Sequence, residues 1–324
     1  MKKLKWGLIG CGDIARKRVA PALRDLPNSD FIAVSRARHE LAESFAVEFG
    51  AYKWYGTWQE LIDDEEIEAV YVATPVYLHC EQTVAAAEAG KHVLCEKPMG
   101  MNASECERMI EVCCKAGVKL GVAYYRHFYP VIGRIKEILA TGEIGRAVFA
   151  EINAFEYFNP SPDHDRYWFV MKEKAGGGPM FDFGCHRIEV LLNIFGPVTF
   201  TEGFIDTIVL KREVEDTATA FFRFASGTNA VLNISHAVYE PRDTLEIYCT
   251  EGSLHVPVLN NGVMTIITCN GERTEDFPQH LNVHQPLIDD FIRAVLDNRK
   301  PLVDGEIGSE VNRIEEDIYK NDRY

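Results

Sequence analysis

An apolar run, Leu4–Ile9, leads straight into Gly10-Cys11-Gly12-Asp13-Ile14-Ala15, and no other feature of the chain restricts its fold as much. The spacing has a physical meaning. Gly10 permits a tight turn, Gly12 lets backbone approach a pyrophosphate, and Ala15 leaves room for a helix to pack on the strand it follows. Cys11, Asp13 and Ile14 lie where the first amides of that helix, unpaired and at the positive end of its dipole, favour an anion. A GxGxxA string alone is weak. Here it opens an alternation of short apolar runs and helical patterns, the signature of a parallel sheet covered on both faces. Strands are expected at 4–9, 31–34, 69–73, 92–95 and 118–122. Helices are expected at 13–25, 39–49, 58–63 and 79–89, with another opening after Asn102. The first 123 residues therefore predict a doubly wound, Rossmann-type domain that binds a dinucleotide.

Which dinucleotide depends on the end of the second strand. NAD-type sites carry an acid there, about 20 residues after the glycines, to hold the ribose hydroxyls. This chain has Val34-Ser35-Arg36-Ala37-Arg38, with no acid. A 2′-phosphate would be repelled by a carboxylate and suits a hydroxyl beside a guanidinium. Ser35 and Arg36, with Arg38 as a helper, therefore favour NADP(H) over NAD(H). A solvated basic turn opening the next helix is the alternative.

From about residue 146 the texture changes to β-rich runs at 147–158, 198–209, 217–224, 229–236, 244–249 and 263–269. Turns such as Ala225-Ser226-Gly227 and Asn260-Asn261-Gly262 separate them. This predicts a second α/β domain over 124–324, built on an open, mostly antiparallel sheet. One strong helix, 181–194, is stopped by Gly196-Pro197. A later one, 284–298, has apolar Leu287, Phe291 and Val295, so the C-terminal helices are expected to pack back on the first domain.

The 34 basic residues against 49 acidic ones give a formal charge of -15, whose average field repels nucleic acid and anionic membrane. No apolar stretch nears the ~18 residues that span a bilayer. Residues 1–5 run directly into Trp6-Gly7 without the apolar region of a signal peptide. The expectation is a cytoplasmic protein with neither nucleic acid nor membrane as partner. The nine cysteines contain no CxxC pair and the ten histidines no HExxH, so no metal site is expected.

Two further segments carry chemistry. Glu96-Lys97-Pro98 directly follows the 92–95 run, which should bring Lys97 to the ligand crevice, and proline gives its peptide bond a cis option. Gly176-Gly177-Gly178-Pro179 precedes Asp182 and His186, which are four apart and should share one helix face. A histidine titrates near neutrality and can take or return a hydroxyl proton, while an aspartate one turn away orients it or holds substrate. Glu189 lies near the same stripe. A plain helix-face hydrogen bond has the same spacing, but three glycines would let backbone crowd a ligand.

GCGDIA, Thr74-Pro75 with Leu78-His79, the segment from Gly90 to Pro98 and that from Ala175 to Glu189 together resemble, in order and over essentially the whole chain, the glucose–fructose oxidoreductase / inositol dehydrogenase (Gfo/Idh/MocA) family. The resemblance implies a nucleotide-binding domain followed by an α/β domain whose open sheet commonly forms an oligomer interface, hence a homodimer or homotetramer. Carried over by position, it makes Lys97 the lysine that contacts substrate hydroxyl and cofactor, His186 the acid/base and Asp182 the substrate-binding or orienting acid. It places Thr74, Pro75, His79, Glu96 and Arg126 on the cofactor side. Trp168 resembles the tryptophan of a family Trp-Arg pair whose arginine is replaced here by Phe169, and Glu189 stands where many members have Asp. Tyr124, Tyr157, Phe158, His164 and Tyr167 would line a sugar site, with core or interface duty as the alternative. The reaction implied is hydride transfer between NADP(H) and a sugar, polyol or keto-sugar carbon. Two rivals remain: a glycosidase with retained nicotinamide, found within the family, and a non-catalytic NADP sensor, which should lack Lys97 or His186.

Overall fold

The branched and aromatic runs of the first third become six parallel strands: β1 (Leu4–Ile9), β2 (Ser29–Ser35), β3 (Lys53–Tyr55), β4 (Ala69–Val72), β5 (His92–Cys95) and β6 (Leu120–Val122). Their order is β3-β2-β1-β4-β5-β6, so the winding reverses between β1 and β4. All four residues of β4 are fully buried, as a strand covered on both faces must be. The edge strand β3 has three half-buried residues, too few to show a period, and the sequence pattern missed it.

The helix after β1 contains Pro21, which has no amide hydrogen to return to the preceding turn. The backbone answers with a widened turn over Ala15–Val19, closed by the Ala20 amide on the Ala15 carbonyl five residues back. It then continues as a regular helix over Ala20–Asp25.

The computed structural model describes residues 2–320, and the chain divides into two units. The first joins the N-terminal part, up to Tyr125, to Leu281–Asn312. The second comprises Arg126–His280 and the residues from 313 onward. The sequence pattern places one boundary, at 123/124, with the C-terminal helices of the second domain packing back on the first. In the structure the helix Gln285–Leu296 belongs to the first unit, where Phe291 packs 5.5 Å from Trp6, ring to ring. Gly121 gives it room, since a Cβ there would lie 2.8 Å from the Phe291 ring.

The second unit is built on eight strands: β7 (Ala147–Tyr157), β8 (Val198–Asp206), β9 (Thr217–Phe224), β10 (Asn229–Ser235), β11 (Ala237–Cys249), β12 (Gly252–Val256), β13 (Val263–Thr268) and β14 (Gly271–Asp276). They lie in the order β14-β13-β12-β11-β7-β10-β9-β8, antiparallel except where β10 runs parallel to β7. Alternation selects the faces. Ala218, Ala220, Phe222 and Phe224 of β9 are buried, and Phe224 meets Phe195 of the helix Cys185–Phe195 at 5.3 Å. The other face carries a hydrogen-bonded row, Thr219–Asn233–Asn153–Glu151, among exposed Phe200, Phe204, Phe221 and Tyr248. The pattern also missed β14, whose Gly-Glu-Arg-Thr-Glu-Asp has no apolar alternation, and the helices Pro130–Thr141 and Gly305–Lys320.

Candidate active site

In the first unit the candidate residues follow the carboxyl ends of β1, β2, β4 and β5, where an open parallel sheet binds its ligands. The Gly10 amide donates to the Ser35 carbonyl at 3.1 Å. Gly10 has φ +94°, and a Cβ there would stand 2.8 Å from the Ala73 carbonyl oxygen, so the turn admits no side chain. Gly12 is the opposite case: a Cβ would meet nothing within 4 Å, and its backbone faces open space. One closed glycine and one open one, followed by the helix start at Asp13 and Ile14, form a cradle that fits a pyrophosphate.

Cys11, between them, is buried. Burial pushes its thiol up to about 12, against the opposing pull of the Arg36 and Arg16 guanidiniums, so both cations act at the turn. Ser35 is only 2% exposed, whereas Arg36 is half-buried and Arg38 exposed. Of these three, only the arginines keep solvent exposure.

Thr74 donates its hydroxyl to Gln82 at 2.6 Å, and Pro75 leads into the short turn Val76–Leu78. His79 is buried, with Nε2 2.8 Å from the Thr74 carbonyl oxygen and Nδ1 2.9 Å from that of Pro98. Burial holds its pKa below the usual histidine range. The resemblance placed His79 on the cofactor side; the structure makes it a brace between the turns after β4 and β5, its ring nitrogens occupied by backbone. The Lys97-Pro98 peptide is cis. Glu96 is buried beside it and accepts the Tyr71 hydroxyl at 2.7 Å and the Lys97 amide at 3.2 Å. His284 Nε2 stands 3.4 Å from the same carboxylate, at ion-pair distance. Burial raises the Glu96 carboxyl, but His284, Tyr71 and Lys97 together outweigh it and hold Glu96 below the ordinary range. Tyr124 is fully buried.

In the second unit, Asp182 lies in a widened turn, Met180–Gly184, and His186 in the regular helix after it. The one-turn offset expected for a plain α-helix therefore does not describe the pair. Asp182 is half-buried and His186 buried. The charge of Asp182 reaches His236, a buried residue the sequence pattern did not single out. Burial pushes the His236 pKa down to about 4; Asp182 opposes this, while Arg212 and Arg166 add to it. Phe158 packs 5.1 Å from its ring. Trp168 stacks on Phe169 at 3.9 Å, and Arg166 lies over both Phe158 and Phe169, at 4.6 and 5.1 Å. The guanidinium in this cluster thus comes from Arg166, not from position 169. Tyr157, at the end of β7, is 62% exposed.

Arg126 is buried, 3.3 Å from Asn260 Oδ1 and 3.9 Å from Asp243 Oδ2, within a network in which Arg187 holds the other Asp243 oxygen at 2.7 Å. Glu189 is also buried, its carboxylate 2.7 Å from His127 Nδ1, and burial pushes its carboxyl upward. It is an internal partner of His127. The triple glycine needs a correction as well. A Cβ on Gly177 would lie 2.2 Å from the Tyr319 hydroxyl, and one on Gly178 2.2 Å from the Glu215 carbonyl. The chain's own residues crowd these glycines, where a ligand was expected to. Among the described residues no group of three or more His, Cys, Asp or Glu is arranged to hold a metal, and no helix is long and apolar enough to cross a membrane.

Comparison with known proteins follows the same division. Residues 4–124 match the family model described as an oxidoreductase family with an NAD-binding Rossmann fold, and residues 132–255 match the GFO/IDH/MocA C-terminal domain. The 1,5-anhydro-D-fructose reductase of Ensifer adhaerens is 30% identical, over 94% of this chain and 92% of its own. The myo-inositol 2-dehydrogenase of Thermotoga maritima is 27% identical over the same shares, 94% and 92%. Among solved structures, the aldose-aldose oxidoreductase of Caulobacter crescentus in complex with glycerol has a TM-score of 0.90 at 25% identity, covering 99% of this chain and 98% of that one. A levoglucosan dehydrogenase in complex with NADH and levoglucosan, at 24% identity over 99% and 97%, shares the fold with a TM-score of 0.89.

Proposed function

The chain belongs to the Gfo/Idh/MocA oxidoreductase family, and on that premise we propose that it transfers a hydride between NADP(H) and a carbon of a sugar, polyol or keto-sugar. The observation that carries the reading is the β2 end: an acid-free turn with Arg36 and Arg38 beside a glycine cradle that fits a pyrophosphate. The amides from Gly10 to Ile14 would hold the pyrophosphate, Arg36 and Arg38 a 2′-phosphate, and Thr74 and Pro75 the following part of the nucleotide. When bound, the nicotinamide supplies a carbon that takes or gives the hydride.

The protein's own part is proton and charge management. In oxidation His186 takes the hydroxyl proton as the carbon loses its hydride and the carbonyl forms; in reduction it returns it. The Lys97 ammonium polarises the substrate oxygen and stabilises its developing charge. Asp182 orients His186 or holds a neighbouring substrate hydroxyl, and Tyr157 offers an exposed ring to the substrate. Two relatives named for 1,5-anhydro-D-fructose and myo-inositol support a polyhydroxylated substrate. The exposed Phe200, Phe204, Phe221 and Tyr248 support a homodimer or homotetramer formed through that sheet face. A chain that light scattering finds monomeric at micromolar concentration contradicts this part of the reading. All nine cysteines are free, in keeping with the reducing cytoplasm.

The test is absorbance at 340 nm, with NADPH or NADH against keto-sugars and aldehydes and the oxidised forms against sugars and polyols. The expected result is turnover that favours NADP(H) by about tenfold or more, the worth of one charge-assisted phosphate contact. Equal or faster turnover with NAD(H) overturns the arginine argument. No net turnover with nicotinamide retained through purification indicates the glycosidase, or the sensor.

A further inference from the structure

The helix bearing Asp182 and His186 begins at a buried carboxylate supplied from elsewhere in the second unit. Glu215 Oε2 accepts the Gly178 amide at 2.8 Å; its Oε1 accepts the Met180 amide at 3.1 Å and the Tyr319 hydroxyl at 2.7 Å. Pro179, between the two amides, has no hydrogen to donate. The carboxylate therefore takes both donors flanking the proline, at a helix start whose amides have no partner within the helix. Side chains at 177 and 178 would forbid the approach, as their clashes with Tyr319 and Glu215 show. Tyr319 also meets Phe181, edge to face at 6.5 Å.

The anchorage matters because the helix enters through the widened turn Met180–Gly184. A widened turn can revert to an ordinary one by slipping a residue, and each residue of slip rotates the side chains by about 100° around the helix axis. We propose that Glu215 and Tyr319 are positioning residues: their convergence on the Gly178 and Met180 amides sets where the widened turn begins, and so the direction of Asp182 and His186. The inference rests on the reading of His186 as the acid/base only for its effect on turnover; the clamp itself stands on the hydrogen bonds. A carboxylate is needed, since glutamine would turn an NH2 toward one of these donors.

The test uses Tyr319→Phe, which keeps the ring and removes one hydroxyl, and Glu215→Gln, in the full-length chain. The imidazole resonance of His186, assigned by its absence in His186→Gln, is followed by NMR through a pH titration without nucleotide. Both variants should shift the resonance and its titration midpoint. Turnover should fall by roughly 10–100-fold, with KM for the nucleotide within about twofold, as for a misplaced catalytic group. An unmoved His186 resonance in folded Tyr319→Phe overturns the proposal, even if the melting temperature drops, because the clamp would then be structural alone. Should the wild type turn over no substrate while the resonance still moves, the functional reading fails and the clamp survives. Should Glu215→Gln not fold, the milder Tyr319→Phe decides.

Discussion

The two units hold their candidate side chains by different means. In the first, each motif follows a strand end, and backbone bonds continue the ladder into it: Gly10 to Ser35, Ala73 to Ile9, Glu96 to Val72 and Ala123 to Cys95, at 2.8–3.1 Å. In the second, Asp182 and His186 stand at the start of a helix secured by side chains from other elements, with Glu215 37 positions from Gly178 and 104 from Tyr319. The buried carboxylates differ accordingly. Glu96 has His284 close enough to keep it below the ordinary range, while burial wins at Glu189 and Glu215 and pushes both up. A strand-end site inherits its precision from the sheet; a helix-start site must be given partners one by one.

The largest effect is expected at the chemistry. Lys97→Met should cost roughly 10²–10⁴-fold in kcat if the ammonium stabilises transition-state charge. Steady-state kinetics would measure it, and a loss under tenfold would remove Lys97 from the reaction.

Acid should weaken both units through buried histidines held below their usual range, His79 in the first and His236 in the second. His236 titrates at about 4 when folded against 6.5 for an ordinary histidine, so the unfolded chain takes this proton first as pH falls. Its stability contribution is complete above about pH 6.5 and is lost on the way down to 4, for a total of about 3 kcal/mol. Glu96, also held below its usual range, acts only at lower pH, in the carboxylate window. Urea unfolding between pH 7 and 4 should show His236→Phe with a shallower decline than wild type; parallel curves would refute the assignment.

The two cradle glycines should separate stability from binding. Gly10→Ala meets a positive φ and the Ala73 carbonyl, and should destabilise by about 1–3 kcal/mol. Gly12→Ala has open space and should leave the melting temperature unchanged while weakening NADPH, seen by calorimetry. Equal melting losses would mean that Gly12 is structural. The smallest effect is expected for Arg36→Ala, about 1–2 kcal/mol of NADPH affinity with NADH nearly unaffected. Equal losses for both nucleotides would remove Arg36 from phosphate recognition.

Much of the first unit was legible because its determinants are local. The strand, the glycine turn and the helix start occupy Leu4 to Ala15, and the missing acid lies within Val34 to Arg38. The second unit was legible as β-rich runs, but its site was read too simply. A helical period places Asp182 and His186 one turn apart, and no local signal announces the widened turn that Pro179 and Glu215 help to start. Nor does sequence show that Ser35 is buried, that His79 spends its nitrogens on two carbonyls, or that Glu189 has turned to His127.

By itself, then, the sequence determined the parallel dinucleotide-binding fold, the open face of its glycine turn and the residue types available for proton and charge transfer. These follow from backbone sterics and short-range periodicity, which act between neighbours in the chain. Only the tertiary structure decided the bounds of the segment that returns to the first unit, Leu281–Asn312, that His284 reaches Glu96, and that Glu215 and Tyr319 close on the glycines. These pairings depend on burial and on which polar groups need partners once water has gone, and both are set by the packing of distant segments.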